Sequence, residues 1–239
     1  VTQSLAHRSR LQRWHWGSLM RNEYPKLNGI IAVSEGVRED LLTTTGMPAE
    51  RITAIKNPVT TADMIREAKA AVDHPWMRDD FDEPVVISVG RLTKNKDHQT
   101  LLKAFRLIND EVPSRLLILG EGPERPTLER AIAETGLLDR VQLPGFVDRP
   151  WAWMAKSSLF VLSSFAEGSG NVLTEAMSVG IPVVSTDCPS GPNEILDGGR
   201  IAPLVPIGDA AALAEACIDV LKTGITASLL EEAVAPFKA

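Results

Sequence analysis

Leu159-Phe160-Val161-Leu162-Ser163-Ser164-Phe165-Ala166-Glu167-Gly168-Ser169-Gly170-Asn171-Val172-Leu173-Thr174-Glu175-Ala176-Met177 is the stretch whose reading decides the fold. Its first four residues form a short, uniformly apolar run, the pattern of a buried strand, and from Asn171 onward apolar residues recur at helical spacing. Between the two lies a glycine-rich turn. Gly168 and Gly170 let the backbone approach a ligand closely, and the free amides that open the following helix face whatever anion lies there.

The same alternation extends outward in both directions. Further strands are predicted over residues 85–89, 116–119, 141–143, 182–185 and, less clearly, 201–205, with helices over 97–109, 124–135, 151–156, 171–179 and 209–222. Strands alternating with helices imply an α/β fold, a Rossmann-like doubly wound parallel sheet covered on both faces. Ligands of such sheets sit outside the carboxyl ends of the strands, so the chemistry is to be sought in the loops after Val89, Leu119, Leu143 and Leu162.

Toward the amino end the pattern is thinner. Residues 30–33 read as a buried strand, after which Ser34 can cap a helix running through Leu41 and Leu42 to a stop at Gly46. Residues 51–59 read as another strand, ending in Asn57-Pro58. From residue 60 to residue 84 the periodicity weakens, as expected of an inter-domain connection. The segment 5–26 is polar and basic around Trp14 and Trp16; over residues 1–26 five Lys and Arg stand against one acidic residue. A basic helix bearing tryptophans can lie on an anionic membrane surface. The apolar positions are sparse, however, which favours a helix packed on a neighbouring domain with its arginines in solvent.

With 239 residues, 44% of them hydrophobic and 23% charged, the chain is long enough to bury a substantial core. Its net charge of -6 argues against a protein that coats nucleic acid. Cys188 and Cys217 have neither zinc-site nor disulfide-framework spacing, so both read as small core residues of a protein in a reducing cytoplasm. No apolar run approaches the ~20 residues that span a bilayer, and no signal peptide is read, so any membrane association is peripheral, at the inner face.

Two cations follow the strand at 85–89. In Gly90-Arg91-Leu92-Thr93-Lys94-Asn95-Lys96, Arg91 offers a planar fork suited to phosphate oxygens and Lys96 a mobile point charge. Taken alone, these are better read as surface charges. The glycine-rich turn at 168–170 is a second, independent phosphate cradle and shifts the balance. Glu167 and Glu175 beside it are acceptors suited to the vicinal hydroxyls of a ribose and a sugar. The plainer account has Glu175 complementing the helix dipole and Glu167 solvated.

These residues carry a resemblance. Gly90-Arg91-Leu92 with Lys96, Gly120-Glu121-Gly122-Pro123, Pro144-Gly145-Phe146-Val147, Glu167 with seven residues before Glu175, and Gly180-Ile181-Pro182-Val183-Val184 occur in order, and together resemble the carboxy-terminal domain of the GT4 family of retaining glycosyltransferases. The resemblance implies a GT-B fold of two Rossmann-like domains. It also implies transfer of a sugar from a nucleotide donor with retention of anomeric configuration, and no bound metal or cofactor. Arg91 and Lys96, joined by Gly90, fall on the diphosphate-binding pair; the amides of Ser169, Gly170, Asn171 and Val172 after Gly168 fall on phosphate and sugar contacts. Glu167 falls on the carboxylate that holds the donor sugar, Glu175 on the ribose carboxylate, and Phe146 and Val147 on the loop whose backbone meets the base. Asp187 to Pro192 followed by Glu194 resembles a subgroup common in bacterial polysaccharide and glycoconjugate synthesis.

The resemblance divides the chain into 1–60, a partial second Rossmann-like domain left from the acceptor half; 61–83, the connection; and 84–239, the donor-binding domain. A full member carries a further stretch ahead of Val1, so this chain is expected to bind a nucleoside diphosphate without transferring sugar. The expected partners are a UDP- or GDP-linked sugar and a glycan or lipid-linked acceptor. A non-catalytic nucleotide-binding module and a nucleotide-sugar 2-epimerase of the same fold are the alternatives. Gly120-Glu121-Gly122-Pro123 lacks the third glycine of a dinucleotide fingerprint, which disfavours an oxidoreductase, and no lysine suits the pyridoxal site of a phosphorylase. No Asp-X-Asp metal site is read. The four histidines, His7, His15, His74 and His98, lack ligand spacing, and His98 is expected to be exposed in a first helical turn.

Overall fold

A computed structural model of the chain describes the backbone of residues 10–239 and the side chains of residues 16–239. His7 and the side chains of Trp14 and His15 lie outside the described residues. The basic segment forms helix α1, Arg10–Glu23.

A small unit follows. Strand β1 (Ile30–Ala32) pairs in parallel with β2 (Ile52–Ala54), and α2 (Glu35–Thr45) crosses between them. Ser34 caps α2 by accepting the Val37 amide at 3.2 Å, and Gly46 ends it at φ 68°. Met20, Ala32, Val37, Leu41, Met47 and Ile52 make a separate core on one face of this two-stranded sheet. The strand expected over 51–59 is cut to three residues. Pro58 has no amide to give a ladder, and Asn57 instead donates its side-chain amide to Asn171 Oδ1 at 3.0 Å.

The connection is better anchored than its weak periodicity suggests. It contains helix α3 (Ala62–Glu67), and its Trp76 and Met77 are buried in the main core. Glu83 at its end pairs with both Arg115 and Arg140. It also holds an Asp-X-Asp spacing that the sequence reading passed over, Asp80-Phe81-Asp82. Both carboxylates are exposed and Asp80 pairs with Arg78.

The large unit is the doubly wound sheet. Its parallel strands are β3 (Val85–Val89), β4 (Arg115–Leu119), β5 (Val141–Gly145), β6 (Leu159–Leu162), β7 (Val183–Thr186) and β8 (Leu204–Val205), in the spatial order β5-β4-β3-β6-β7-β8. Successive side chains of a strand point to opposite faces. Val85, Ile87, Phe160 and Leu162 therefore enter one core, with α7 (Asn171–Ser178) and α10 (Ala227–Val234). Val86, Leu159 and Val161 enter the other, with α4 (His98–Glu111), α5 (Arg125–Glu134) and α9 (Ala210–Thr223). Two short helices complete it, α6 (Pro150–Ala155) and α8 (Pro192–Ile195). Among the described residues no helix is long and apolar enough to cross a membrane.

Candidate functional site

The strand order turns back between β3 and β6. From β3 the chain winds outward through β4 to β5, then returns to the other side of β3 as β6. The loops after β3 and β6 thus leave the sheet side by side and diverge, which opens a crevice at their carboxyl ends.

The β3 loop is shaped by glycines on its neighbour. A Cβ on Gly120, at φ 136°, would lie 2.0 Å from the Gly90 carbonyl oxygen, and one on Gly122 would lie 2.3 Å from that of Leu92. The Gly120-Glu121-Gly122-Pro123 run therefore serves close packing of two loops, which gives it a role without any dinucleotide. Leu92 is fully buried, and its amide bonds Glu121 O at 2.9 Å. The Lys96 side chain lies over Gly90, its Cε 3.2 Å from where a Cβ on that glycine would sit.

Lys96 meets the other loop. Its Nζ lies 2.6 Å from Glu167 Oε1, with the two side chains only 17% and 12% exposed. Ser164 donates to the same oxygen at 2.5 Å, while Ser163 donates to Lys96 O at 2.9 Å. A pair so far withdrawn from water leaves a costly lone charge if one member is removed. Arg91 is exposed at the strand end, and among the described residues its side chain has no ion pair or hydrogen bond. The structure thus joins Lys96 to Glu167 and leaves Arg91 open to solvent.

The glycine-rich turn ends at Gly170, which adopts the left-handed conformation (φ 66°) as the residue before α7. First-turn amides have no acceptor within their own helix. Glu175 lies one turn further along α7, half-buried, with the Trp151 indole Nε1 donating to its Oε2 at 3.0 Å. Burial pushes its carboxyl above the ordinary range, and the indole N–H acts in the opposite direction. Each carboxylate is held through one oxygen, Glu167 by Oε1 and Glu175 by Oε2, and among the described residues the second oxygen of each has no hydrogen-bond partner. Phe146 is 76% exposed at the end of β5, whereas Val147 packs partly into the core.

The small unit reaches this turn. Ser34 Oγ donates to Gly168 O at 2.9 Å. The Glu194 carboxylate accepts the amides of Glu35 at 2.9 Å and Gly36 at 2.7 Å, and so caps α2 from across the cleft. Gly191 (φ 96°) lets the β7 loop lie on the turn, since a Cβ there would be 2.7 Å from Ser169 C and O. Cys188, in the same loop, is buried, and burial followed by the Glu167 charge pushes its thiol up to about 12. Such a thiol is no nucleophile at neutral pH.

His98 corrects the sequence expectation. It is buried, only 3% exposed, with Nδ1 unpartnered. Burial, and then the charge of Lys96, lowers its pKa to about 4, so it is neutral. Asp97 before it takes φ 46° and caps α4 by accepting the Thr100 amide; that tight entry turns the next side chain inward.

Residues 83–223 match the sequence family described as glycosyl transferases group 1. The chain belongs to that family. Among curated relatives it is 32% identical over 184 residues to N-acetylgalactosamine-N,N'-diacetylbacillosaminyl-diphospho-undecaprenol 4-alpha-N-acetylgalactosaminyltransferase of Campylobacter jejuni, covering 77% of this chain and 48% of the relative. It is 34% identical over 165 residues to the lipopolysaccharide core biosynthesis glycosyltransferase LpsE of Rhizobium meliloti, covering 69% of this chain and 46% of the relative. The chain thus spans about half the length of these two curated relatives. In fold it is similar to Anabaena HepE, solved with UDP and glucose, with TM-score 0.77, 22% identity, 96% of this chain and 63% of that one covered. The architecture is the GT-B type of these glycosyltransferases.

Within this group 1 chain the sequence reading had singled out both loops that border the crevice and the two carboxylates beside them. It missed what holds them. Trp151 carried no local signal, and Gly191 was legible only as part of a motif. Ser34 was legible as a helix cap but not as a donor to Gly168, and Glu194 was legible only as part of a motif.

Proposed function

We propose that this chain binds a nucleoside-diphosphate sugar and is the donor half of a retaining glycosyl transfer to a glycan or lipid-linked acceptor. The observation that carries the reading is the Lys96–Glu167 pair at the point where the strand order reverses. A cation and a carboxylate held together there suit the two ends of one ligand, a diphosphate and a sugar hydroxyl. Arg91, Lys96 and the amides of Ser169, Gly170, Asn171 and Val172 meet the diphosphate. Charge that develops on the departing phosphate oxygen then finds donors already in position. Glu167 accepts from the sugar hydroxyls and Glu175 from the ribose. Phe146, Val147 and the Gly90 backbone border the nucleotide, and the acceptor hydroxyl attacks from the face the nucleotide leaves.

The relatives' names support glycan and lipid-diphosphate acceptors, and UDP in the solved complex supports a uridine donor beside the guanosine alternative. In this reading residues 84–239 form the donor domain, 61–83 the connection, and 1–60 part of an acceptor domain. The bare face of the two-stranded sheet supports that division, since Ile31 and Ile55 are 67% and 51% exposed and parallel strands are ordinarily covered on both faces. Two buried free cysteines fit a reducing cytoplasm.

The test is calorimetric titration of the chain with UDP, GDP and their sugar conjugates. Arg91→Ala with Lys96→Ala removes two charged contacts worth ~1.5 to 3 kcal/mol each, so diphosphate affinity should fall at least about tenfold. Glu167→Gln also frees Lys96, so what should fall is the ratio of sugar-conjugate to bare-diphosphate affinity. Unchanged diphosphate binding by the double variant would return both cations to ordinary surface charges.

A further inference from the structure

Glu175 is a carboxylate that the fold partly withdraws from water and partners with a group of no charge. The donor is the indole of Trp151, 24 positions earlier and on a different helix. Trp151 stands at the start of α6, where Pro150 occupies the first turn and fixes the backbone angle. Its ring packs against the core that also receives Leu173 and Ala176 of α7. Ring and carboxylate are thus set by two helices in contact with each other. An indole has one hydrogen to donate and nothing to accept with. It can hold one carboxylate oxygen and cannot compete for the hydroxyl hydrogens of a ligand. A lysine in the same place would bring a charge and two further donors. An indole N–H leaves the carboxylate with its full charge and one unengaged oxygen.

The geometry points to Trp151 as the positioning residue for the ribose carboxylate: its indole N–H fixes Glu175 through Oε2, so that Oε1 is presented to the vicinal hydroxyls of a ribonucleoside diphosphate. This rests on the ribose role proposed above for Glu175. The same residue ties two parts of the nucleotide site together, because Trp151 follows directly on the loop carrying Phe146 and Val147. A nucleotide that orders that loop around its base would steady the donor that orients its ribose contact.

The chain is titrated with UDP or GDP, whichever the unaltered protein binds more tightly, and with the 2′,3′-dideoxy form of the same nucleotide. Trp151→Phe keeps an aromatic ring against the core but removes the N–H together with the pyrrole part of the indole, so the N–H is isolated by comparing the two nucleotides, which a loss of packing alone would weaken equally. The substitution should weaken the ribonucleotide about five- to tenfold, as expected for an indirect loss of a hydrogen bond to a charged group. The dideoxy form should be nearly unaffected, so discrimination between the two shrinks. In a Glu175→Gln background, Trp151→Phe should add little further loss, since both changes act on one contact. Equal weakening of both nucleotides, or full additivity with Glu175→Gln, would show a packing role only and overturn the inference. If Glu175→Gln by itself leaves ribose discrimination intact, the ribose reading has failed and the inference with it. If Glu175→Gln behaves as proposed and Trp151→Phe does not, only the inference fails. A readout on the unaltered fold covers a Trp151→Phe that does not fold: the Trp151 indole N–H resonance should be protected from exchange and lose that protection in Glu175→Ala, which leaves it no acceptor. Exchange at the rate of an exposed indole in the unaltered chain would also overturn it, as would failure of that chain to bind either nucleotide.

Discussion

The two loops that border the crevice reach their shapes by opposite means. The β3 loop, from Gly90 to His98, is moulded within its own unit, with Gly120 and Gly122 pressing on its backbone, Leu92 buried and Lys96 lying over Gly90. The β6 loop, from Ser163 to Gly170, is steadied partly from outside, by Ser34 on the Gly168 carbonyl and by the β7 loop at Gly191. The cationic side of the site is therefore preorganised by the large unit alone, whereas the glycine-rich side depends on how the small unit sits against it.

The hardest way to break that contrast is at Gly120. Gly120→Ala puts a methyl into the Gly90 carbonyl at a φ of 136°. Overpacking costs about 1–3 kcal/mol and the strained backbone about 1–3 kcal/mol more. Thermal or denaturant unfolding should show a loss of about 2–6 kcal/mol in all. A loss well under 1 kcal/mol would mean that the two loops are not locked together as described.

Acid should act next, and on the β3 side. The folded-state pKa of His98 is about 4, below its ordinary value of 6.5, so the unfolded chain takes up a proton that the folded one refuses. Its contribution is fully present above pH ~6.5 and is lost progressively as the pH falls toward ~4; at about 1.4 kcal/mol per unit that amounts to something on the order of 3 kcal/mol. Denaturation at a series of pH values should show a flatter acid limb for His98→Gln than for the unaltered chain. Parallel limbs would place the acid sensitivity elsewhere.

The smallest effect belongs to Ser34, and it sharpens the comparison most. Ser34→Ala removes the α2 cap, worth ~1 kcal/mol, together with the hydrogen bond to Gly168. Ser34→Asp can still cap the helix but cannot, when ionised, donate to a carbonyl. Both variants should weaken nucleoside diphosphates by about fivefold or less, while only the alanine lowers stability through the lost cap. Undiminished affinity in both would detach the glycine-rich turn from the small unit.

What was legible in the sequence was whatever is periodic or local. The buried strand at 159–162 and the Ser34 cap with its Gly46 stop came through because each is written in consecutive residues. The two loops that border the crevice and the carboxylates beside them stood out as charged and glycine-rich residues at predicted strand ends. Contacts made across long separations did not: Ser34 and Gly168 are 134 positions apart, and nothing in either neighbourhood encodes the other. His98 failed for a related reason. A polar residue in a first helical turn reads as solvated, and only the left-handed Asp97 ahead of it carries it inside.

Glu194 has a consequence for motion. Helix α2 borrows the acceptor for two of its opening amides from a residue 158 positions away, on the opposite wall of the cleft. Parting the walls would oblige water to take over two amides and a carboxylate in the same event. The attraction so lost is that of an anion for the positive end of a helix, which dissolved salt weakens. Ionic strength thereby becomes a control on how readily the cleft gapes, exerted through a carboxylate that need never touch the nucleotide.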